Sequence, residues 1–370
     1  YNQAKEFGFG SKTGLNPTGE ESGTVYEAKR WSLSSMHSVP IGYEVSVTPI
    51  QIAMAYAAIA NGGFLLKPYM IDEVKKSDDT ILKNQQHKSK LIMKESRIAI
   101  GSAQFGMNYG IANNNGKVSE YNIKKILSFA RLHNIFTIDT AISYGDSEEC
   151  IGKAGMNGWK IVTKIPKIPS SCQDIHGWIS RNINNSLARL NVKNIDAVLL
   201  HFPLQLLEKS GSDIWNSLKK IKKSGVINKI GFSLYSPEEL DKLYHLFKPD
   251  IVQFPYNILD RRMEISGWLR FLSDKGVETH ARSVFLQGLL LLNKNNRQKK
   301  FSDWKDLWKS WDDLLEKQNI SALQACIGFV MSNQCIDKIV LGVDNKIHLE
   351  EIIGLKSISC VNELKKFNTN

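Results

Sequence analysis

The sequence predicts an α/β protein, a (β/α)8 TIM barrel over residues 93–370, preceded by an incomplete α+β segment over residues 1–92. Three observations carry this expectation. From residue 98 onward, short β-branched or apolar runs alternate with amphipathic helical patterns. Eight strand runs fall within about 278 residues, close to the ~250 residues of a closed eight-unit barrel. The pattern also changes character between residues 89 and 96, from loop-rich to strictly alternating. An open doubly wound sheet shares the alternation, and the count of eight units favours closure.

The first segment opens with a loop-rich stretch holding Gly8, Gly10, Gly14, Pro17 and Gly19. One helix follows. Thr48 is placed to cap it, Pro49 sits at its first position, apolar residues repeat to Ala60, and Asn61-Gly62 closes it. The seam has no Pro- or Gly-rich linker. Met93-Lys94-Glu95-Ser96 stands just ahead of the apolar run Ile98-Ala99-Ile100, which places the boundary at 92/93 with Met93 as a natural start. The chain opens on Tyr1 rather than Met, which predicts the cut end of something longer. Beyond the seam, strands are predicted at 98–101, 136–139, 161–164, 197–201, 229–232, 251–254, 277–281 and 339–341. Helical patterns between them span 120–133, 175–190, 214–223, 237–247 and 263–275. The 237–247 helix has Ser236 as its cap, Pro237 in its first turn, and Glu238 and Glu239 at its positive end.

Composition excludes several classes. With 42% hydrophobic and 23% charged residues, the 370-residue chain is globular rather than disordered. The richest apolar stretch, 50–66, is broken by Gln51, Asn61, Gly62 and Gly63, so no membrane span is expected. Five cysteines (Cys150, Cys172, Cys326, Cys335 and Cys360) form no C-x-x-C pair, and no H-E-x-x-H occurs. Reduced thiols in a reducing compartment are expected, and no metal site. The net charge of +11 is concentrated in residues 93–370, with 38 basic and 28 acidic residues against 10 and 9 in residues 1–92. The lysines are scattered and form no basic stripe interleaved with aromatics, so the expected partner is a small molecule and not a nucleic acid.

The barrel architecture locates its active site at the carboxyl ends of the strands. The second strand ends at Asp139, and Tyr144 follows five residues later; the third ends at Lys164 and the fourth at His201. Taken singly, each has a structural explanation: a strand-end cap, a solvated lysine, a core histidine. Their arrival on consecutive strand ends points to chemistry. A phenol is a weak acid with a pKa of about 10, and an ammonium beside a phenol favours its phenolate. Asp139 would balance the Lys164 charge, which is costly to bury alone. His201 would orient a substrate carbonyl, and Tyr144 would protonate its oxygen while a hydride reaches the carbon. No side chain supplies a hydride, so a cofactor is required.

These motifs resemble the aldo-keto reductases. Gly101-Ser102-Ala103-Gln104-Phe105-Gly106 is similar to the family's opening strand, and the run from Ile138-Asp139-Thr140 to Ser143-Tyr144-Gly145 to its Asp-x-x-x-x-Tyr motif. The tetrad's Lys and His fall on Lys164 and His201, and the resemblance covers essentially all of 93–370. It implies a nicotinamide cofactor held without a Rossmann fold, with carbonyl–alcohol interconversion in the cytoplasm. It implies cofactor contacts from Gly101 and Ser102, and carboxamide contacts from Ser233 and Gln253; Leu234 stands where the family has Asn. Arg282 stands where the family stacks an aromatic on the nicotinamide, and its charge disfavours the cationic oxidised ring. Ser283, Phe285, Gln287 and Gly288 resemble the loop that wraps the pyrophosphate. Gly342, Asp344, Lys346 and His348 correspond to the grip on the adenosine ribose. Lys346 and His348 favour NADP, whereas Asp344 repels a 2′-phosphate and leaves NAD open. Ile142, Trp159, Phe202, Trp268 and residues 292–303 are the candidate pocket walls, while Trp304, Trp308 and Trp311 recur at near-helical spacing as core. A barrel that binds cofactor only to regulate a partner is the alternative.

Residues 1–75 resemble a different family, the transpeptidase domain of penicillin-binding proteins. The resemblance rests on Phe7-Gly8-Phe9-Gly10, Val47-Thr48-Pro49-Ile50-Gln51 and Tyr56 to Gly63. That chemistry needs S-x-x-K, S-x-N and K-[TS]-G. Residues 1–92 contain neither of the first two, and Lys12-Thr13-Gly14 precedes the Thr-Pro-x-Gln block instead of following it. The segment is expected to be catalytically inert. The two families work on opposite sides of the membrane, which predicts joined reading frames, with a genuine fusion as the alternative.

Overall fold

The computed structural model describes residues 1–370 apart from 16–18, 33, 62, 69–72, 76–80, 85–88, 92–94, 114–115, 356–360 and 368–370. The chain divides into two compact units, Tyr1–Glu95 and Ser96–Asn370. The expected seam at 92/93, with Met93, lies outside the described residues, as do Pro17, Gly62 and Cys360. The other four cysteines are free thiols. Among the described residues, no helix is long and apolar enough to cross a membrane.

In the first unit, helix Pro49–Ala60 starts as the sequence predicts. Thr48 Oγ1 accepts from the Gln51 N–H at 3.3 Å, and Gln51 Oε1 accepts from the Thr48 N–H at 2.8 Å. The Gln51 amide is buried, and its Nε2 donates to Ser11 O at 2.7 Å and Ser22 O at 2.9 Å, tying the glycine-rich loop to the helix. Lys12-Thr13-Gly14 forms a turn around Glu20, whose carboxylate accepts from the Thr13 N–H and hydroxyl and from the Gly14 N–H. Among its described residues are three two-stranded antiparallel sheets: Thr24–Val25 with Val45–Ser46, Phe64–Leu66 with Ser89–Leu91, and Glu73–Lys75 with Ile81–Asn84. Among its described residues, the buried hydrophobic side chains are Val25, Ala55 and Ala58.

The second unit is a closed barrel of eight parallel strands, which rules out the open sheet. The strands are β1 (Ile98–Gly101), β2 (Thr137–Asp139), β3 (Lys160–Ile165), β4 (Ile195–Leu200), β5 (Ile227–Ser233), β6 (Ile251–Pro255), β7 (Glu278–Arg282) and β8 (Lys338–Gly342). Closure occurs where Gly342 of β8 pairs with Gly101 of β1. Arg97 fastens the seam, donating to Met331 O at 2.7 Å, Asn333 O at 2.6 Å and Ile336 O at 3.0 Å. Val162, Ala197, Leu199 and Ile251 fill the barrel interior, while the alternate residues join the larger core outside the strands. Burial on both faces is why these strands read as apolar runs without alternation.

Helix Ile175–Leu190 has the predicted bounds, ended by Asn191 in the left-handed conformation. Two expected helices differ. The 237–247 pattern is helical over Pro237–Leu243, and Ser236 makes no side-chain capping hydrogen bond. The 263–275 pattern is broken into Arg262–Ile265 and Trp268–Asp274, because Gly267 adopts φ 81°. Trp308 and Trp311 are core as expected, but Trp304 is 53% exposed because it precedes helix Lys305–Gln318 instead of lying on its inner face.

Candidate active site

The carboxyl ends of β2, β3 and β4 bring Asp139, Lys164 and His201 to one rim, and the turn after β2 adds Tyr144. Three hydroxyls fix the base of this arrangement. Ser102 Oγ donates to Asp139 O at 2.8 Å, Ser147 Oγ donates to Ser102 O at 2.9 Å, and Thr140 Oγ1 donates to Ser147 Oγ at 3.1 Å. Gly106 packs so closely on the Tyr144 turn that a Cβ would lie 1.8 Å from Tyr144 O.

Lys164 and Asp139 form a buried ion pair, Nζ to Oδ1 2.6 Å, with side chains 1% and 5% exposed. Lys164 Nζ also donates to Thr140 O at 2.9 Å, and Asp139 Oδ2 accepts from Gln253 Nε2 at 2.7 Å. Burial pulls the ammonium pKa down, but the Asp139 carboxylate and Tyr144 outweigh it, so Lys164 sits above the usual lysine value and stays charged. Its Nζ lies 5.1 Å from the Tyr144 ring centroid. The Tyr144 and His201 rings meet edge-on at 6.0 Å. Burial, then the Lys164 ammonium, lowers the His201 pKa to about 4, so its imidazole is neutral at pH 7. The rim therefore offers a phenol above a fixed ammonium, beside a neutral imidazole. Among the described residues, no cluster of His, Cys, Asp or Glu could hold a metal ion.

The remaining sequence-predicted residues are held in different ways. Ser233 and Gln253 are register partners on β5 and β6 and are both buried, and Gln253 Oε1 has no hydrogen-bond partner. Arg282 donates to Leu234 O at 2.8 Å and lies 4.8 Å from the Tyr235 ring centroid. After β7, Ser283, Leu286, Gln287 and Gly288 all take positive φ, curling the loop tightly. Gly101 and Gly342 face one another across β1 and β8, and Ser102 is wholly buried. Asp344 Oδ1 is buried without a partner, and burial raises its pKa. Lys346 is paired with Glu350 at 2.7 Å and lies over the Phe129 ring, while the His348 N–H caps onto Asn345. Among the expected pocket walls, Phe202 lies tilted against His201, with ring centroids 5.4 Å apart. Trp159 precedes β3 at its amino end, and Trp268 packs against Tyr244 and Phe271 with its N–H on Asp241, so neither reaches the rim.

Residues 97–366 match the model of the aldo/keto reductase family. The chain belongs to that family. The curated aldo-keto reductase YhdN of Bacillus subtilis is 30% identical over 167 residues, 42% of this chain and 50% of that protein. Among solved structures, an aldo-keto reductase from Bacillus halodurans in its holo form superposes with a TM-score of 0.59 at 17% identity, covering 77% of this chain and 93% of that one. A glycerol dehydrogenase from Gluconobacter oxydans gives 0.55 at 22%, covering 74% and 90%. Likeness at this identity establishes the fold. Residues 1–120 match the penicillin binding protein transpeptidase domain. Stage V sporulation protein D of Bacillus subtilis is 42% identical over 69 residues, 19% of this chain and 11% of that protein. The chain thus spans about half the length of the curated reductase and about a tenth of the penicillin-binding relatives.

Sequence reasoning missed two tyrosines of this aldo-keto reductase barrel. Burial raises the Tyr109 pKa, and Tyr144, Arg282, Tyr235 and Lys164 all act on it electrostatically. Tyr235 carries the Arg282 guanidinium on its face. Both lie on loops after strand ends, where no periodicity marks them.

Proposed function

We propose that residues 93–370 form a cytoplasmic NAD(P)H-dependent reductase that converts an aldehyde or ketone to an alcohol, with NADP as the expected cofactor and NAD as the second candidate. The observation that carries this reading is the buried Lys164–Asp139 pair beneath Tyr144, with neutral His201 at its side. In this reading the Tyr144 hydroxyl donates its proton to the carbonyl oxygen. The Lys164 ammonium stabilises the negative charge that develops on the phenol oxygen, and Asp139 keeps that ammonium in place. His201 hydrogen-bonds the carbonyl oxygen and orients it. When bound, the nicotinamide supplies the hydride that reaches the carbonyl carbon.

The residues present fit such a cofactor. Gln253 Oε1 is a buried acceptor without a donor, and a carboxamide NH2 beside Ser233 would satisfy it. Arg282 would hold positive charge near the ring and disfavour the oxidised form. Ser283, Phe285, Gln287 and Gly288 would hold the pyrophosphate, and Gly101, Ser102, Gly342, Asp344, Lys346 and His348 would frame the remainder of the nucleotide. Residues 1–92 are proposed to be an inert partial transpeptidase segment, since they lack S-x-x-K and S-x-N and their Lys12-Thr13-Gly14 turn is engaged with Glu20.

A panel of aldehydes and ketones with NADPH and with NADH, followed by the loss of reduced-nicotinamide absorbance, tests the proposal. Substrate-dependent oxidation is expected. Tight cofactor binding with no turnover across the panel would replace it with the regulatory alternative.

A further inference from the structure

Ser143 immediately precedes Tyr144, and its Oγ lies 3.1 Å from His201 Nδ1. Both partners are anchored by backbone hydrogen bonds. The turn is fixed by Ile142 N–H to Lys164 O at 3.1 Å and Tyr144 N–H to Ala141 O at 3.0 Å, and His201 by its N–H to Ile165 O at 3.0 Å. The Tyr144 and Phe202 rings also meet the imidazole. A neutral imidazole carries one N–H, on Nδ1 or on Nε2, and a serine hydroxyl can complement either. A carbonyl oxygen only accepts, so it is served by the tautomer whose proton lies on the nitrogen that Ser143 does not occupy.

We propose that Ser143 is a positioning residue that donates its hydroxyl proton to His201 Nδ1 and so holds the imidazole proton on Nε2, ready for a carbonyl oxygen. Its consequence for turnover rests on the reductase reading. The tautomer itself is a property of the protein without substrate and can be read alone. The donor can be kept by Thr and is lost with Ala, which separates the hydroxyl from the space it fills.

The test is a nitrogen-15 spectrum of the full chain labelled at histidine, at neutral pH, with the His201 signals assigned by their loss in His201→Gln. The wild type is expected to show an unprotonated Nδ1 and a protonated Nε2. Ser143→Ala is expected to lose that preference, and Ser143→Thr to keep it. With a turned-over carbonyl, Ser143→Ala should raise KM about fivefold, the scale of one neutral hydrogen bond, while the affinity for reduced cofactor stays the same. A wild-type proton on Nδ1, or an Ala variant with the wild-type tautomer, would overturn the proposal. Absence of turnover with every carbonyl would sink the reductase reading, and the spectrum would still decide the role of Ser143.

Discussion

Lys164→Met is the most informative single perturbation of the barrel. It leaves the Asp139 carboxylate, whose side chain is 5% exposed, with Gln253 Nε2 as its remaining side-chain donor. Removing one member of a buried pair costs about 3–5 kcal/mol, because the surviving charge has been taken out of water without compensation. At roughly 2–4 °C per kcal/mol for a domain near this size, the barrel midpoint should fall by about 10 °C. The double variant Lys164→Met/Asp139→Asn removes both charges, keeps an acceptor for Gln253, and should recover all but about 1–2 kcal/mol of the loss. Both variants should lose activity, since neither holds an ammonium beneath Tyr144. Thermal and urea unfolding, followed by circular dichroism, read the stabilities. A single variant as stable as wild type, or a double variant weaker than the single one, would show that the Lys164–Asp139 pair is not a buried charge pair of this kind.

Three further outcomes follow from the same coordinates. His201 has a folded pKa of about 4 against an unfolded value of about 6.5, so the unfolded chain takes up its proton first as the pH falls. Its contribution is complete above pH ~6.5 and lost between there and pH ~4; a ceiling near 3 kcal/mol shrinks to about 1–2 because the ring is partly exposed, and His201→Gln should flatten that part of the stability profile. Gly106→Ala would drive a methyl to 1.8 Å from Tyr144 O and 2.4 Å from Ser147 N, so it should cost about 2–3 kcal/mol in unfolding and lower kcat by displacing the Tyr144 turn. Titration with oxidised and reduced cofactor should show tighter binding of the reduced form, and Arg282→Leu should narrow the ratio; tighter binding of the oxidised form by wild type contradicts the role given to Arg282.

Much of the barrel is legible in the sequence because polar side chains interrupt apolar runs where strands end. Asp139, Lys164 and His201 each close such a run, and the structure brings them to one rim. Closure was legible from the count of units. The rest depends on loop paths that no short-range pattern encodes. The segment after β1 bends through Gly110 at φ 109°, and the Ile111 N–H donates to Gln287 O at 2.8 Å, a contact spanning most of the barrel sequence. The helix break at Gly267 did have a signal, a glycine inside an amphipathic run, and the apolar periodicity masked it. Ser236 precedes its helix without capping it, a choice of side-chain rotamer that the residue type does not fix. Lys346 is four residues from Glu350 on one helix face and pairs with it at 2.7 Å, a contact the i,i+4 spacing makes legible.

The proposed chemistry depends on a single hydroxyl group. Tyr144→Phe removes one oxygen and leaves the ring packed against His201 and Lys164. Single-turnover reduction of a carbonyl substrate by the full chain, with cofactor affinity measured in parallel, isolates that oxygen. The account predicts a rate reduced by about 10²–10⁴ with cofactor affinity unchanged. A Phe variant that reduces the carbonyl at the wild-type rate would contradict it.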